Sequence, residues 1–469
     1  MPACRSETEN LPMKRATQQT LVVFTVVLLL APLAALHAAE RKLPAIELLK
    51  ETTIGHRTLS FARLPAGLKV DEKLALVLAS PAITGQVIHN AGAGFVEDTR
   101  AAKTPGGDYL LMFPTNTRDN PTGMATYGGS GYKKVNDMVA YRSKDQGRTW
   151  QGPTVAWDID YNQHGFVPLI PKGSKRIYAF GTEPVWGLYK AESGQHENAP
   201  IGYRYSDDDG HHWSEVRLIR PKNDPEFRGM SCMRMCETDS GVWLLGSHEG
   251  DWSYKPLMTR QYVLRSADQG KTWTVGPNPR HGGWCVPQFN RMDEGRPINL
   301  GGGQVYMMIR TCEGHLWATR STDDGKTWQQ PAPTPLVHPD APPMLFHLSD
   351  GKTLAAFHHN RHHDRNYVNL VGDNPGMKVR SEVWVSLSTD DGHTWSEPRF
   401  VFANAAVPNL ESGWRSYQCS YLDMFVDEGV VHLFVPHRWQ RCLHLQLPEA
   451  ELHRLPTAKM LEMSEKGKS

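Results

Sequence analysis

One eight-residue pattern, Ser-x-Asp-x-Gly-x-x-Trp, occurs five times in this chain and constrains its fold more than any other feature. The copies read SKDQGRTW, SDDDGHHW, SADQGKTW, STDDGKTW and STDDGHTW, and they begin at Ser143, Ser206, Ser266, Ser321 and Ser388. Four residue types keep their spacing while the positions between them vary. We therefore interpret the pattern as a structural repeat.

Each copy has the composition of a tight turn between two strands. The aspartate can accept hydrogen bonds from its own turn, and the glycine two residues later can supply a positive φ. The segments before each copy are rich in β-branched and aromatic residues, as in MVAYR at residues 138–142 and LWATR at residues 316–320. The tryptophan would begin the return strand and fill the space between neighbouring sheets. The pattern predicts five hairpin tips.

The spacing of the copies predicts the architecture. Successive copies start 63, 60, 55 and 67 residues apart, which suits a four-stranded antiparallel sheet with its loops. Sheets repeated radially form a propeller. Residues 80–448 have room for six such units, so we predict an all-β fold, a six-bladed β-propeller in which one blade lacks the marked tip. A segment with some strand, residues 40–79, would precede it, and a tail, residues 449–469, would follow.

These copies are similar to Asp-box, or bacterial neuraminidase, repeats, and the chain resembles the sialidase superfamily over residues 80–448. The resemblance implies a six-bladed propeller and glycosidase chemistry on acidic sugars. The same repeats also occur in propellers with other enzymatic or purely binding roles, so the function has to be argued from the site.

Composition excludes some partners. The chain has 469 residues, 39% of them hydrophobic and 22% charged, which is ordinary for a globular protein. Its formal net charge of +1 gives no bulk attraction to nucleic acid or to an anionic membrane. We expect a glycan partner and neither nucleic acid nor membrane once the amino-terminal segment is removed.

Cysteines and histidines leave two questions open. Six cysteines follow the first propeller strands, and their even number permits disulfides in an exported protein, although apolar surroundings suit buried free thiols equally well. Residues 358–364, HHNRHHD, are dense in possible metal ligands, or they form a polar rim of the funnel. We expect neither a metal nor another cofactor.

In the first blade, the resemblance implies an arginine that contacts the substrate carboxylate and an aspartate that acts as acid and base. The usual Tyr/Phe-Arg-Ile-Pro motif is absent, Glu97 stands at the expected position, and Arg100 is the substitute three residues later. The loop after the first hairpin offers Asp119 and Asp137. We favour Asp119, which is nearer the loop centre, because Asp137 adjoins a strand and can cap a turn.

Two later stretches complete the candidate site. Residues 290–310 look like the sialidase segment in which a glutamate opens a strand and the next strand ends in arginine, here Glu294 and Arg310. Arg380 stands eight residues before the fifth repeat, as a clamp arginine does in the family. The segment after that repeat resembles the strand that carries the family's nucleophile, for which we choose Tyr417, with Tyr421 as the alternative.

The chemistry asks for these residue types. A sialic acid carries its carboxylate on the anomeric carbon, so a neutral phenol primed by a glutamate avoids the repulsion that an anionic nucleophile would meet. Arginine binds a carboxylate through two parallel hydrogen bonds. We predict an exo-acting, retaining sialidase. The alternatives are an enzyme for another acidic glycan, uronic or sulfated, and a non-catalytic propeller that binds glycans or proteins.

The amino terminus has the features of a secretory signal peptide. Lys14 and Arg15 precede LVVFTVVLLLAPLAAL at residues 21–36, and small residues follow at Ala38 and Ala39. The apolar run is shorter than the ~20 residues of a spanning helix and contains Pro32. An uncleaved anchor is the competing interpretation. We favour a signal peptide at residues 1–39 and export to the periplasm or the medium.

We expect the mature protein to begin close to Ala38 or Ala39. Mass spectrometry of the amino-terminal peptide of the exported protein checks this prediction. A mature chain that still carries residues 21–36 would contradict it and favour the anchor.

Overall fold

Strands make up almost all of the regular structure of this chain. The computed structural model describes residues 46–55, 57–91, 96, 98–119, 134–159, 167–182, 198–251, 253–254, 257–286, 291–361, 380–407 and 418–466. The predicted signal peptide lies outside these residues. The described part of the chain belongs to one compact unit, Ala45–Ser469.

The amino-terminal strands are short, and two of them form a separate hairpin. They are β1 (Glu51–Ile54), β2 (Arg57–Ser60), β3 (Lys69–Asp71), β4 (Leu76–Leu78) and β5 (Thr84–Asn90). β1 pairs with β2 alone, whereas β3, β4 and β5 join sheets that are formed much later in the sequence.

The first three blades follow one another along the chain. Blade 1 contains β6 (Arg100–Lys103), β7 (Tyr109–Asp119), β8 (Lys134–Ser143) and β9 (Gln151–Ile159). Blade 2 contains β10 (Val167–Leu169), β11 (Ile177–Thr182), β12 (Ile201–Ser206) and β13 (Arg217–Leu218). Blade 3 contains β14 (Ser231–Glu237), β15 (Trp243–Asp251), β16 (Met258–Ser266) and β17 (Thr274–Gly276).

The last three blades include the strands that close the ring. Blade 4 contains β18 (Asp293–Gly301), β19 (Gln304–Arg310), β20 (His315–Ser321) and β21 (Ala332–Val337). Blade 5 contains β22 (Met344–His347), β23 (Leu354–His358), β24 (Glu382–Ser388) and β25 (Arg399–Asn404), with β4 and β3 added at its outer edge. Blade 6 contains β26 (Asp423–Asp427), β27 (Val430–His437) and β28 (Arg441–Pro448), and β5 is its fourth strand. The predicted six-bladed propeller of antiparallel sheets is confirmed.

The repeated turn is held by a serine and an aspartate. Ser321 Oγ accepts hydrogen bonds from the amides of Gly325 (2.9 Å) and Asp323 (3.3 Å) and donates one to Asp323 Oδ1 (2.8 Å). The same carboxylate accepts bonds from the amide and the hydroxyl of Thr327. The residue before the glycine also has a positive φ, 56° at Asp324 against 74° at Gly325. Each turn joins the third strand of its blade to the fourth.

An arginine immediately before the serine links neighbouring blades. Its guanidinium donates to the carbonyl of the positive-φ residue in the turn of the next blade. This bond occurs three times, from Arg142 to Asp209 (2.6 Å), from Arg265 to Asp324 (2.8 Å) and from Arg320 to Asp391 (2.7 Å). The glycine of the turn packs against the preceding blade, since a Cβ added at Gly325 would lie 2.6 Å from Leu244. The repeat therefore also sets the contact between sheets.

The core lies between neighbouring sheets and contains four buried cysteines, whereas Cys236 and Cys285 are partly buried. Cys232, Cys236, Cys285, Cys312, Cys419 and Cys442 are free thiols. Burial raises the pKa of Cys285 to about 11, so this thiol is unreactive at neutral pH. The chain ends in a 3₁₀ helix at Glu449–Arg454 and in α1 at Ala458–Lys466. Among the described residues, no helix is long and apolar enough to cross a membrane.

We predict that Ser321→Ala lowers the free energy of unfolding by about 1–3 kcal/mol, because the buried amide of Gly325 loses its acceptor. Urea denaturation followed by tryptophan fluorescence measures the change. Thr322→Ala, at an exposed position of the same turn, is the matched control and should stay near wild type. Equal effects of the two substitutions would contradict the structural role of the serine.

Candidate active site

Charged residues gather at the end of the propeller opposite the repeated turns. Glu294 lies near the start of β18, and Arg310 ends β19. Tyr421 and Arg380 precede β26 and β24, and Arg100 starts β6. The first strand of a blade begins at this end, and its second strand ends here. The cluster therefore draws on blades 1, 4, 5 and 6.

Tyr421 and Glu294 form the central contact. The Tyr421 hydroxyl donates a hydrogen bond to Glu294 Oε1 at 2.8 Å, and Arg310 Nη1 donates to the same hydroxyl at 3.3 Å. Both residues are buried, with 5% and 4% of their surface exposed. The Tyr421 ring packs edge-on against Trp439, with 5.8 Å between centroids. A phenol that already contacts a carboxylate can transfer its proton with little movement.

The backbone of Glu294 aims its side chain. The pairing of β18 with β19 shifts register between Asp293 and Arg296, and Glu294 has φ 53° inside this bulge. Bulges redirect side chains and are frequent beside active sites. The Glu294 amide donates to His248 Nδ1 at 3.3 Å, and the next amide, of Gly295, donates to a side chain of blade 3. The neighbouring blade thus holds the bulge in place.

Arg310 binds two carboxylates at once. Its Nη1 donates to Glu294 Oε2 at 2.6 Å, and its Nε donates to Asp340 Oδ1 at 2.6 Å. Burial would lower the pKa of Arg310, but Asp340, Glu294 and Asp293 together raise it well above its usual value. In turn, burial would raise the pKa of Asp340, but Arg291 and Arg310 hold it well below its usual range. Arg310 and Asp340 are therefore charged at neutral pH.

Arg380 lies next to the tyrosine ring. Its Nη1 donates to Ser420 Oγ at 3.2 Å, and its Nη2 donates to the backbone carbonyl of Asp340. The Arg380 guanidinium carbon lies 5.8 Å from the centroid of the Tyr421 ring. The structure thus places Glu294, Arg310 and Arg380 together, as the spacing in the sequence suggested, around Tyr421.

Arg100 contacts the main chain of the tyrosine. It donates to the Tyr421 carbonyl at 3.3 Å, to the Thr99 carbonyl at 3.0 Å and to Asp98 Oδ1 at 3.1 Å. Only 1% of its surface is exposed. Arg100 is thus beside the site, bound to the backbone that carries Tyr421.

The other sequence-based candidates lie on strands of blade 1 or outside the described residues. Asp119 ends β7, where its backbone pairs with Lys134. Asp137 lies inside β8, buried and paired with Thr115. Tyr417 and Glu97 lie outside the described residues. The acid/base role assigned to Asp119 or Asp137 stays a prediction.

The histidines described in the histidine-rich segment contact β24 of blade 5. His358 Nε2 lies 3.0 Å from Ser386 Oγ, and His359 Nδ1 lies 2.7 Å from the Glu382 carbonyl. Burial lowers the pKa of His359 to about 3, so it is neutral at physiological pH. The described part of the chain contains no group of three or more metal-ligating side chains. Residues 362–364 lie outside it.

Several residues of the cluster were not predicted from the sequence. Arg291 and Asp293 precede Glu294, with Arg291 Nε 2.8 Å from Asp293 Oδ2, and the density of charge in that stretch could have indicated them. Asp340 lies in the loop between β21 and β22, where no pattern marks it. His248 comes from another blade and only the fold reveals it.

A second group of arginines lies close to Tyr421. Arg234 donates to Asp423 Oδ1 at 2.6 Å, and its guanidinium lies 5.0 Å from the Phe346 centroid. Arg296 lies 5.8 Å from the same ring and is only 1% exposed. Its three guanidinium nitrogens have no hydrogen-bond partner among the described residues. Burial and the charge of Arg100 lower the pKa of Arg296 well below its usual value.

Fold and site together define a six-bladed propeller with a buried arginine, glutamate and tyrosine cluster at one end. The chain belongs to the family described as BNR repeat-like domain, whose model matches residues 124–433. No curated protein matches the chain by sequence. The predicted relationship to the BNR-repeat propellers of the sialidase superfamily is confirmed.

Solved structures share this fold at low sequence identity. A protein of unknown function from Dyadobacter fermentans has a TM-score of 0.54 and 16% identity, over 78% of this chain and 99% of the other. The NanB sialidase of Streptococcus pneumoniae has a TM-score of 0.52 and 13% identity, over 78% and 71%. Trypanosoma rangeli sialidase has a TM-score of 0.52 and 10% identity, over 80% and 60%. At such identities the likeness shows the fold alone.

We predict that Arg296→Met raises the free energy of unfolding by about 1–4 kcal/mol, because an apolar side chain of similar length replaces a buried guanidinium that has no hydrogen-bond partner in the described part of the chain. Urea denaturation measures the change. The contrasting substitution Arg310→Met should lower the stability by about 3–5 kcal/mol, since it removes the cation that is hydrogen-bonded to both Glu294 and Asp340. Destabilisation by both substitutions to the same extent would contradict the distinction between them.

Proposed function

We propose that this protein is an exported, exo-acting glycoside hydrolase of the sialidase type, which releases a terminal sialic acid with retention of configuration. The observation that carries the proposal is the hydrogen bond of 2.8 Å from the Tyr421 hydroxyl to Glu294. The sequence favoured Tyr417 as nucleophile and Tyr421 as the alternative. The proposal takes Tyr421 because its hydroxyl contacts the glutamate.

In the first step, Glu294 takes the phenolic proton and the Tyr421 oxygen attacks the anomeric carbon. The bond from that carbon to the leaving-group oxygen breaks, and this oxygen receives a proton from an acid, for which Asp119 and Asp137 are the candidates. Water then cleaves the tyrosyl intermediate, and the same acid residue acts as base. No cofactor takes part in these steps.

The arginines support the charge changes. Arg310 Nη1 donates to the tyrosine hydroxyl, so it would stabilise the negative charge that develops on this oxygen. Arg380 lies next to the ring and would orient the acid group of the sugar. Arg100 would act through the main chain, since it binds the Tyr421 carbonyl.

A second candidate function is the same hydrolysis of a different acidic sugar. Arg100 donates hydrogen bonds to Asp98 and to two backbone carbonyls. The donors available to the acid group of a sugar therefore differ from those of a clamp of three arginines. This arrangement favours another acidic glycan, such as a uronic or sulfated one. A non-catalytic propeller that binds glycans is the remaining alternative.

We predict that wild-type protein turns over a fluorogenic sialoside and that Tyr421→Phe abolishes turnover, because it removes the attacking oxygen. Glu294→Gln should lower kcat by about 10²–10⁴-fold, as expected for the loss of a general base. Initial rates measured on refolding-competent protein with wild-type circular dichroism check both effects. Tyr417→Phe is the informative comparison, since the same change at the other tyrosine should leave most of the turnover.

Trapping the intermediate gives independent support. 2,3-Difluorosialic acid is described as a covalent intermediate in Trypanosoma rangeli sialidase. Peptide mass spectrometry should find the fluorosugar on Tyr421. An adduct on Tyr417 would reassign the nucleophile. Absence of turnover by folded wild type would reject the sialidase proposal, and uronide and sulfated substrates would then test the second candidate.

A further inference from the structure

Asp340 contacts three arginines of the cluster, Arg291, Arg310 and Arg380. Its Oδ1 accepts a hydrogen bond from Arg310 Nε at 2.6 Å and lies 2.6 Å from Arg310 Nη2. The same oxygen lies 3.3 Å from Arg291 Nε, and the Asp340 carbonyl accepts a bond from Arg380. Only 3% of its surface is exposed. A carboxylate of the chain itself therefore sits among these guanidinium groups.

The loop that carries Asp340 is fixed on both sides. The His338 amide donates to the Gly314 carbonyl at 2.9 Å, and the His359 amide donates to His338 Nδ1 at 3.2 Å. Because Nδ1 accepts this bond, Nε2 carries the proton and donates it to the Ala341 carbonyl at 3.1 Å. The rings of His338 and His359 stack with 5.1 Å between centroids. Asp340 is thus held in position without a ligand.

These contacts occupy the edges of Arg310 that bind carboxylates. Asp340 takes the edge formed by Nε and Nη2, and Glu294 takes Nη1. A ligand carboxylate would normally use such an edge for two parallel hydrogen bonds. Three arginines and three acidic residues lie together here: Arg291, Arg310, Arg380, Asp293, Glu294 and Asp340. An incoming acid group therefore meets Arg291 and Arg310 with carboxylate partners already in place.

We propose that Asp340 is a specificity-determining residue, an internal counter-ion that occupies the carboxylate position between Arg291 and Arg310. Acidic sugars would bind at these arginines only in competition with it. The inference rests on the proposed function in that the ligand is a sugar acid. It predicts a preference for glycans whose binding depends on groups other than a single carboxylate.

The first experiment uses small carboxylates and needs no turnover. Asp340→Ala leaves cations around a space that formate can fill. In chloride, the melting temperature of this variant should be below that of wild type. Replacing chloride by formate at constant ionic strength should raise it saturably in the variant and leave wild type unchanged. Equal responses of the two proteins would overturn the inference.

The second experiment keeps the side-chain size and measures ligand affinity by calorimetry. Asp340→Asn should bind N-acetylneuraminic acid about tenfold more tightly than wild type does, while the affinity for neutral methyl galactoside stays the same. If the enzyme is active, KM for the sialoside should fall with little change in kcat. Glu249→Gln, which removes a buried carboxylate paired with Arg260 at 3.0 Å, is the control and should change neither affinity.

The outcomes separate this inference from the proposed function. Weaker binding of the sugar acid by Asp340→Asn would show that Asp340 assists binding, and the inference would fail. A sugar acid that binds neither protein counts against the sialidase proposal, and the formate experiment then decides the role of Asp340. Formate rescue in a protein without sialoside turnover would support Asp340 as counter-ion and reject the proposed activity.

Discussion

The structure depends on one pairing between distant parts of the chain, that of β5 with β28. Blade 6 supplies only three strands of its own, and without β5 its outer edge would stay open to other chains. Contacts beside this closure then join blade 6 to blade 1, since Thr99 donates to the Phe434 carbonyl and the Ala101 amide donates to Asp423. These bonds hold Arg100 against the main chain of Tyr421. The closed ring thus positions a site whose residues are far apart in sequence.

A closed ring also explains how the chain can bury so many charges. Removing an ion from water costs several kcal/mol, and only well-placed partners offset this cost. Arg310 has such partners in Glu294 and Asp340. Backbone pairing fixes Glu294, and the contacts of His338 fix the loop between β21 and β22 that carries Asp340. Arg296 does not have such partners among the described residues. Natural chains break such local rules mostly at functional sites, and the position of Arg296 on the strand that carries Glu294 fits this tendency.

The repeat allowed the architecture to be predicted, because four residue types at fixed spacing specify one turn and its five occurrences specify blades. Glu294 and Arg310 could be paired from the sequence as well, since they lie on strands joined by a glycine turn. The tyrosine could not be chosen, because Tyr417 and Tyr421 both follow a serine, and only the structure shows that the Tyr421 hydroxyl contacts Glu294. Asp340 left no signal, since its role arises from a loop that meets two other elements in space. The acid/base role of Asp119 or Asp137 remains a prediction, because the sequence alone does not show which of them reaches the site.

Residues with positive φ occur both in the repeated turns, which serve the fold, and at the candidate site. The positive-φ residue of the repeated turn is Gln or Asp in every copy, and short polar residues tolerate this conformation. Glu294 and Tyr421 also have positive φ, 53° and 64°, but a bulky aromatic residue is a genuine outlier there. Such strain persists only where the surroundings impose it, and glycine would relieve it at either position. Glycine would also remove the two side chains that meet at 2.8 Å. The chain therefore keeps strained residues at the contact between Tyr421 and Glu294, and this strain is one reason to assign the contact to chemistry.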